Sequence, residues 1–197
     1  RRARRARPGG GPGGGRGGGG FRSAGEDVRY QLSVDFLEAA TGTRKRVTTA
    51  DGKNLDIAIP EGLHDGQTLR LKGQGRPGPR GGQPGDAYVE ISVREHPLFK
   101  RDGNVIHAEV PITLKEALAG AKVPVPTIHG SVSLNVPKHS NSGTRLRLKG
   151  KGIKGADQYV TLTVKLPDKP DQELVDAVTE WEDKHPYDPR QGKEGWR

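Results

Sequence analysis

The sequence contains no cysteine and no methionine among its 197 residues. The absence of cysteine excludes disulfide bonds and thiolate zinc ligands, and it suits a reducing cytosol. Because no methionine stands at position 1, we expect further sequence upstream of Arg1. No apolar run approaches the ~20 residues that a membrane-spanning helix needs, and no signal-peptide core is visible. We therefore expect a cytoplasmic protein that does not bind a membrane.

The positive charge is concentrated at the amino terminus. The formal net charge is +9, and residues 1–22 contain seven arginines and no acidic residue, so nine minus seven leaves +2 for the rest of the chain. The same segment holds ten glycines and two prolines, which give it almost nothing to bury. Residues 1–25 are therefore predicted to be a flexible linker or arm.

The arginines of this arm have two interpretations. They form a solvated linker that keeps the chain soluble, or they contact nucleic-acid phosphates in a salt-dependent, sequence-insensitive manner. The second interpretation predicts a nucleoid-associated fraction of the protein. Its contact residues would be Arg1, Arg2, Arg4, Arg5 and Arg7.

An internal repeat occupies the middle of the chain. The apolar positions of residues 28–36 recur 78 residues later, and the pattern further downstream recurs at a spacing of 77. Both copies end in an Asp-x-Tyr-Val run, at residues 86–89 and 157–160. A unit of this length is too large for a solenoid repeat, so each copy should carry its own core.

Alternating apolar and polar residues predict strands in both copies, with Gly, Pro and Asp-Gly turn signals between them. The predicted strands of the first copy are 27–36, 44–49, 55–59, 68–71 and 88–93. Those of the second copy are 106–114, 123–128, 131–136, 145–148 and 159–165. We therefore predict a mostly β fold with two tandem homologous domains. The predicted divisions are a linker at 1–25, a first domain at 26–101, a second at 102–168 and a helical tail at 169–197.

A helical pattern follows the second copy. Leu174, Val178 and Trp181 are spaced by four and three residues, which places them on one face of a helix of about three turns. Asp168 or Asp171 can cap its start. The apolar stripe either packs back on the second domain or meets the same helix of another chain. We favour a homodimer, because a terminal helix after a complete domain has little else to cover.

The sequence contains no recognisable catalytic or metal-binding constellation. Its six histidines are scattered, and no pair of them lies four residues apart on a predicted helix. A Gly-x-Gly-x-x-Gly pattern occurs at residues 73–78 and again at 150–155. In neither copy does a predicted helix follow, although dinucleotide binding requires one. We therefore predict no metal, no cofactor and no enzymatic activity.

The two copies differ at their second strand. Residues 44–49 contain no proline, whereas the matching strand carries Pro124 and Pro126, each of which lacks a backbone N–H. If this strand is a sheet edge, the first copy can accept an added strand and the second copy is protected from one. The first copy is therefore predicted to bind extended, apolar polypeptide segments.

The predicted binding groove lies between the first two strands of the first copy. Tyr30, Leu32 and Val47 would line it, Lys45 would flank it, and Val34 would continue the apolar row. Tyr30 becomes Ala108 in the second copy, which reduces the apolar surface there. The alternative is that Tyr30 and Leu32 are ordinary core residues.

Several motifs occur together along the two copies. They are Pro60-x-Gly62, Leu71-Lys72-Gly73-x-Gly75, Gly-Asp-Ala-Tyr-Val at 85–89, His-Pro-x-Phe-x-Arg-Asp-Gly-Asn at 96–104 and Val-x-Ile-x-Leu-x-Glu-Ala-Leu-x-Gly at 110–120. In combination they resemble the C-terminal region of the DnaJ family of J-domain co-chaperones. The resemblance covers residues 26–185.

This resemblance implies two β-sandwich-like domains and a terminal dimerisation helix. It also implies binding of unfolded polypeptide and its delivery to a DnaK-type chaperone. In such proteins the client groove lies between the first two strands of the first domain, which by position points to Tyr30, Leu32 and Val47.

Two features of the family are missing from this chain. The zinc-binding Cys-x-x-Cys-x-Gly-x-Gly repeats are absent, so the chain resembles the zinc-free subclass. The J-domain motif His-Pro-Asp is absent too, because Leu98 follows the first His-Pro pair and Tyr187 the second. We therefore do not expect this chain to stimulate a partner ATPase by itself. The glycine-rich residues 8–20 resemble the linker that follows a J-domain, so we expect that domain upstream.

Overall fold

The computed structural model of the chain describes residues 24–193. Strands make up 41% and helices 18% of the structure, so the predicted mostly β class with a short C-terminal helix is confirmed. The five arginines proposed to contact nucleic acid, Arg1 to Arg7, lie outside the described residues. No helix in the described range is long and apolar enough to cross a membrane.

The first copy consists of five strands and one short helix. The strands are β1 at Val28–Val34, β2 at Thr43–Thr48, β3 at Asn54–Ile59, β4 at Thr68–Leu71 and β5 at Ala87–Val93, and α1 spans Phe36–Thr41. Three of the strands form a sheet in the order β1-β5-β4, while β2 pairs with β3 in a separate two-stranded sheet. β1 and β2 are therefore edge strands of two different sheets.

The second copy repeats this arrangement and adds one strand. Its elements are β6 at Phe99–Asp102, β7 at Val105–Thr113, α2 at Leu114–Ala119, β8 at Ala121–Thr127, β9 at Gly130–Val136, β10 at Arg145–Leu148 and β11 at Gln158–Lys165. The larger sheet has the order β10-β11-β7-β6, and β8 pairs with β9. The β7 and β11 strands run parallel. In the described part of the first copy, β6 has no counterpart.

The core of the second copy lies between its two sheets. Val110 and Ile112 of β7 and Val160 and Leu162 of β11 pack with Val125 of the β8–β9 hairpin. These residues alternate with exposed ones along β7 and β8 and with half-buried ones along β11, as a two-layer β fold requires. Each fully buried side chain of this size contributes about 1.5–3 kcal/mol to folding. The second copy is thus sandwich-like, as the family resemblance implied.

The observed strands agree with the predicted ones to within two residues at each end, with one exception. The sequence predicts no strand between residues 93 and 106, but this segment contains β6. Phe99 of β6 pairs with Ala108 of β7 in antiparallel register. A four-residue strand has too short a pattern of alternation to be recognised without its partner.

The described chain divides into two compact units. One unit contains the residues up to Leu32, Thr48–Leu55 and Gly66–Ser92. The other contains Ser33–Val47, Asp56–Asp65 and the residues from Val93 onward, which include the whole second copy. The predicted domain boundaries after residues 25, 101 and 168 stay predictions.

The glycine pattern at 73–78 and 150–155 serves close backbone packing. In each copy it leads into a single 3-10 turn and then a strand. A Cβ atom at Gly152 would lie 2.5 Å from the Asp157 carbonyl oxygen, and one at Gly75 would lie 2.6 Å from the Gly85 carbonyl carbon. Only glycine fits at such distances, and this explains the repeated motif without a nucleotide.

The C-terminal helix α3 spans Gln172–Lys184. The side chain of Asp171 accepts a hydrogen bond from the Leu174 N–H at 2.9 Å, so Asp171 rather than Asp168 is the cap. The helix ends before Pro186, which cannot continue it because proline has no N–H to donate.

Candidate functional site

Strand β1 presents two different faces. Tyr30 and Leu32 are half-buried on one face, and Val34 on that same face has no exposed surface. Arg29 and Gln31 alternate with them and are exposed. Tyr30 and Leu32 therefore keep apolar surface that a ligand can cover, whereas Val34 supports the strand from the core.

Strand β2 places Lys45 and Val47 on one half-buried face. The Lys45 ammonium contacts both carboxylate oxygens of Glu38, at 3.0 and 2.9 Å. The pKa of Glu38 is lowered, first because its carboxylate accepts the Asp35 N–H and then because of Lys45. Lys45 is thus fixed beside the start of α1 as half of an ion pair. Its counterpart in the second copy is Val123, so this pair belongs to the first copy alone.

The edge of β2 differs from that of β8. Within the described residues β2 has a single strand partner, β3, and β8 has a single partner, β9. Thr127 pairs with Gly130 across a two-residue turn, and the next pair is Pro126 with Ser131. A two-residue turn closes on a hydrogen-bonded pair, and hydrogen-bonded and non-hydrogen-bonded pairs then alternate along the two strands. Pro126 and Pro124 therefore lie at non-hydrogen-bonded positions, where a backbone N–H would point away from β9. The N–H groups that these prolines lack are thus the ones that would face an added strand.

By the 78-residue spacing, Arg46 and Thr48 occupy the positions of these two prolines in the first copy. Both residues have an N–H to offer at the outer edge of β2. In the structure β2 is thus an edge strand, which the predicted contrast requires, and the addition of a strand to it stays a prediction. The predicted groove of Tyr30, Leu32 and Val47 stays a prediction.

The partner of Lys45, Glu38, is a residue that the sequence did not single out as part of the site. Asp35-x-x-Glu38 matches the spacing of a capping box, in which the fourth residue turns back to the helix start. The Glu38 carboxylate indeed accepts the Asp35 N–H at 2.9 Å. This signal could have placed an acid beside the second strand, next to Lys45.

The apolar stripe of α3 is open to solvent. Every residue of α3 except Leu174 is exposed, and Val178 and Trp181 keep 45% and 55% of their surface. The helix therefore does not bury this stripe against the second copy. The Trp181 ring stacks on the His185 ring at 4.9 Å. An exposed stripe with a large aromatic ring is typical of a surface that another chain covers.

No group of three or more His, Asp or Glu side chains between residues 24 and 193 is arranged to hold a metal ion. Two carboxylates instead serve as loop anchors, one in each copy. Asp86 accepts the Gly73 N–H at 2.7 Å and Asp157 the Gly150 N–H at 2.9 Å. These backbone hydrogen bonds are the largest cause of the lowered pKa of both aspartates.

The chain matches the DnaJ C terminal domain family over residues 28–167, and it belongs to that family. Curved DNA-binding protein of Coxiella burnetii (strain RSA 493 / Nine Mile phase I) is 36% identical over 186 residues, which cover 86% of this chain and 59% of that protein. Chaperone protein DnaJ of Geobacillus kaustophilus (strain HTA426) is 43% identical over 136 residues, 66% of this chain and 36% of that protein. The chain thus spans less than two thirds of these relatives, and the predicted family is confirmed.

Proposed function

We propose that this chain is the client-binding part of a co-chaperone. Its first copy binds extended segments of unfolded polypeptide, and α3 joins two chains into a homodimer. The whole protein would deliver its clients to a DnaK-type chaperone. The observation that carries the proposal is the combination of a proline-free open edge on β2 with the apolar, half-buried Tyr30 and Leu32 of β1.

A client strand would pair with the outer edge of β2 through main-chain hydrogen bonds. Such bonds are independent of side-chain identity, and each contributes only about 0.5–1.5 kcal/mol net. Many different segments can therefore bind, and each can be released. Val47 on the same strand, β2, would offer apolar surface to alternate side chains of the client, and Tyr30 and Leu32 of β1 offer further apolar surface of the first copy.

The Lys45–Glu38 pair fits this broad selectivity. Because Glu38 neutralises its ammonium group, Lys45 offers its methylene stem beside Val47 without strongly favouring acidic clients. The pair is partly exposed, with 31% and 29% of the two side chains accessible. It therefore orients the lysine more than it stabilises the fold.

Replacing Arg46 and Thr48 by proline should close the edge of β2 as Pro124 and Pro126 close that of β8. We expect the affinity for a fluorescently labelled, extended apolar peptide to fall about tenfold or more, because two outward donors are removed. Fluorescence anisotropy measures this affinity. The matched control replaces both residues by alanine, which also removes the Arg46–Asp56 ion pair at 2.7 Å but keeps both N–H groups. Equal losses in the two variants would contradict strand addition.

A second function, binding of DNA, is favoured by the name of the Coxiella relative and by the seven arginines of residues 1–22. We propose that these arginines contact phosphates. Deleting residues 1–22 should greatly weaken the binding of a labelled duplex. The log–log slope of affinity against salt should become shallower by about 0.9 for each phosphate that the arm neutralises. Peptide binding should persist, since the deletion leaves the first copy intact. An unchanged DNA affinity would contradict a role for the arm.

A further inference from the structure

The solvent-facing side of the sheet β10-β11-β7-β6 carries a row of donor side chains. Lys100 pairs in register with His107, His107 with Tyr159, and Tyr159 with Arg147. Four adjacent strands thus contribute one residue each to a line across the sheet. With neighbouring strands about 4.8 Å apart, the line extends about 14 Å. A shallow depression of about 350 Å³ surrounds its centre.

Tyr159 organises the centre of this row. The Arg145 guanidinium carbon lies 4.3 Å from the centroid of the Tyr159 ring, in a cation–π contact. The His107 ring stacks beside the same tyrosine, with centroids 5.9 Å apart and planes 19° from parallel. The ring therefore holds a guanidinium and an imidazole on the surface, where both can donate to a ligand.

The charge of the row is available to a ligand. Arg147 forms an ion pair with Asp157 at 2.7 Å. Neither Arg145 nor Lys100 has a carboxylate partner within residues 24–193, and both are exposed. The acid that lines the depression is Asp102, at the end of β6. Arg145 and Lys100 are therefore the two cations of this face that are left unpaired, while Asp102 and the exposed Glu109, which lies on the same face of β7 as His107, are the acids nearest to them.

The first copy lacks this arrangement. Tyr88 takes the place of Tyr159, but Thr68 takes the place of Arg145, so the cation over the ring is absent. Glu90 adds a negative charge among the residues around Tyr88. Since β6 also has no counterpart in the described part of the first copy, the row is specific to the second copy.

We propose that this row is a contact surface for the DNA backbone, with Arg145, Lys100, His107 and Arg147 as phosphate ligands and Tyr159 as a positioning residue. The inference rests on the proposed DNA-binding function and adds a site on the folded part of the chain. The two cations without a carboxylate partner within residues 24–193, Arg145 and Lys100, complement the regular negative charge of a phosphate backbone. The neighbouring Thr161 and Thr163 add hydroxyl groups to this face, and such groups can donate hydrogen bonds to phosphate oxygens.

The test measures the affinity of the full chain for a short fluorescein-labelled duplex over a range of salt concentrations. Arg145→Thr, which introduces the residue of the first copy, should weaken binding several-fold and reduce the log–log salt slope by about 0.9. Lys122→Thr on β8 removes the same charge elsewhere and should leave the slope unchanged. Asp102→Asn should tighten binding, because it removes a negative charge beside the phosphates.

The role of Tyr159 is tested separately. Tyr159→Ala should weaken binding as much as Arg145→Thr does, whereas Tyr159→Phe keeps the ring and should bind as the parent chain does. If Tyr159 has only a structural role, Tyr159→Ala will lower the thermal stability of the chain. It will then not change the slope of log affinity against log salt at temperatures at which the variant is folded.

Several results would overturn the proposal. If the full chain binds the duplex but Arg145→Thr and Lys122→Thr behave alike, the DNA-binding function stands and this surface is not part of it. If the full chain does not bind the duplex even at low salt, the function and the surface both fall. Tighter binding of an acidic peptide than of the duplex, abolished in Arg145→Thr, would assign the row to peptide instead.

Discussion

A chain in which Tyr30 and Leu32 are both serine is expected to lose nearly all of its ability to suppress the aggregation of a denatured reporter protein. Both side chains are half-buried on one face of β1, and their remaining surface is what a client would cover. Apolar surface contributes roughly 25 cal/mol per Å² covered, so the two substitutions should remove about 2–3 kcal/mol of client binding. This corresponds to an affinity on the order of a hundredfold weaker. Light scattering during dilution of the reporter measures the effect.

The matched control for this variant lies on the same strand. Arg29 and Gln31 alternate with the two target residues and face the other way, so their replacement by serine should leave protection unchanged. The buried part of Tyr30 and Leu32 also stabilises the fold, so thermal unfolding must show that each variant is folded under the assay conditions. If a folded chain with Tyr30→Ser and Leu32→Ser still suppressed aggregation of the reporter fully, Tyr30 and Leu32 would be ordinary core residues that do not bind clients.

Short-range pattern was sufficient for most of the fold, because the strands of both copies alternate clearly and are separated by glycine and proline turns. The short-range pattern was insufficient where a segment becomes a strand only because a neighbouring strand pairs with it. Residues 99–102 form a strand because β7 offers them a partner at Ala108, and four residues show too little period of their own. The strand predicted to reach Phe36 ends at Val34, because Asp35 and Glu38 begin α1.

The candidate sites divide in the same way. The open edge of β2 could be predicted, since a proline shows its missing N–H in the sequence itself. The donor row of the second copy could not, because Lys100, His107, Tyr159 and Arg147 lie far apart along the chain. Only the register of four strands brings them into one line. The ion pair of Lys45 with Glu38 could be predicted in part. The capping-box spacing of Asp35 and Glu38 indicates that the Glu38 carboxylate turns back to the start of α1, but it does not identify Lys45 as its partner.

Replacing Trp181 by alanine should convert a dimeric chain into a monomer. In a two-fold symmetric dimer the same residue acts on both sides of the interface, so each substitution counts twice. A buried tryptophan at such an interface commonly contributes about 2 kcal/mol or more. Two of them correspond to a dissociation constant on the order of a thousandfold higher. Sedimentation velocity over a range of chain concentrations measures this shift.

The control for this variant is Asp183→Ala on the same helix. Asp183 lies two residues beyond Trp181, on the opposite face of α3, so its removal should leave the dimer intact. Val178→Ala should give a smaller shift in the same direction, because its side chain is smaller and 45% exposed in the single chain. A Trp181→Ala chain that sediments as the parent does would mean that the stripe of Leu174, Val178 and Trp181 does not join two chains. Peptide binding by a single first copy should survive in the monomer, whereas the ability of two linked sites to hold a long client at two points should disappear.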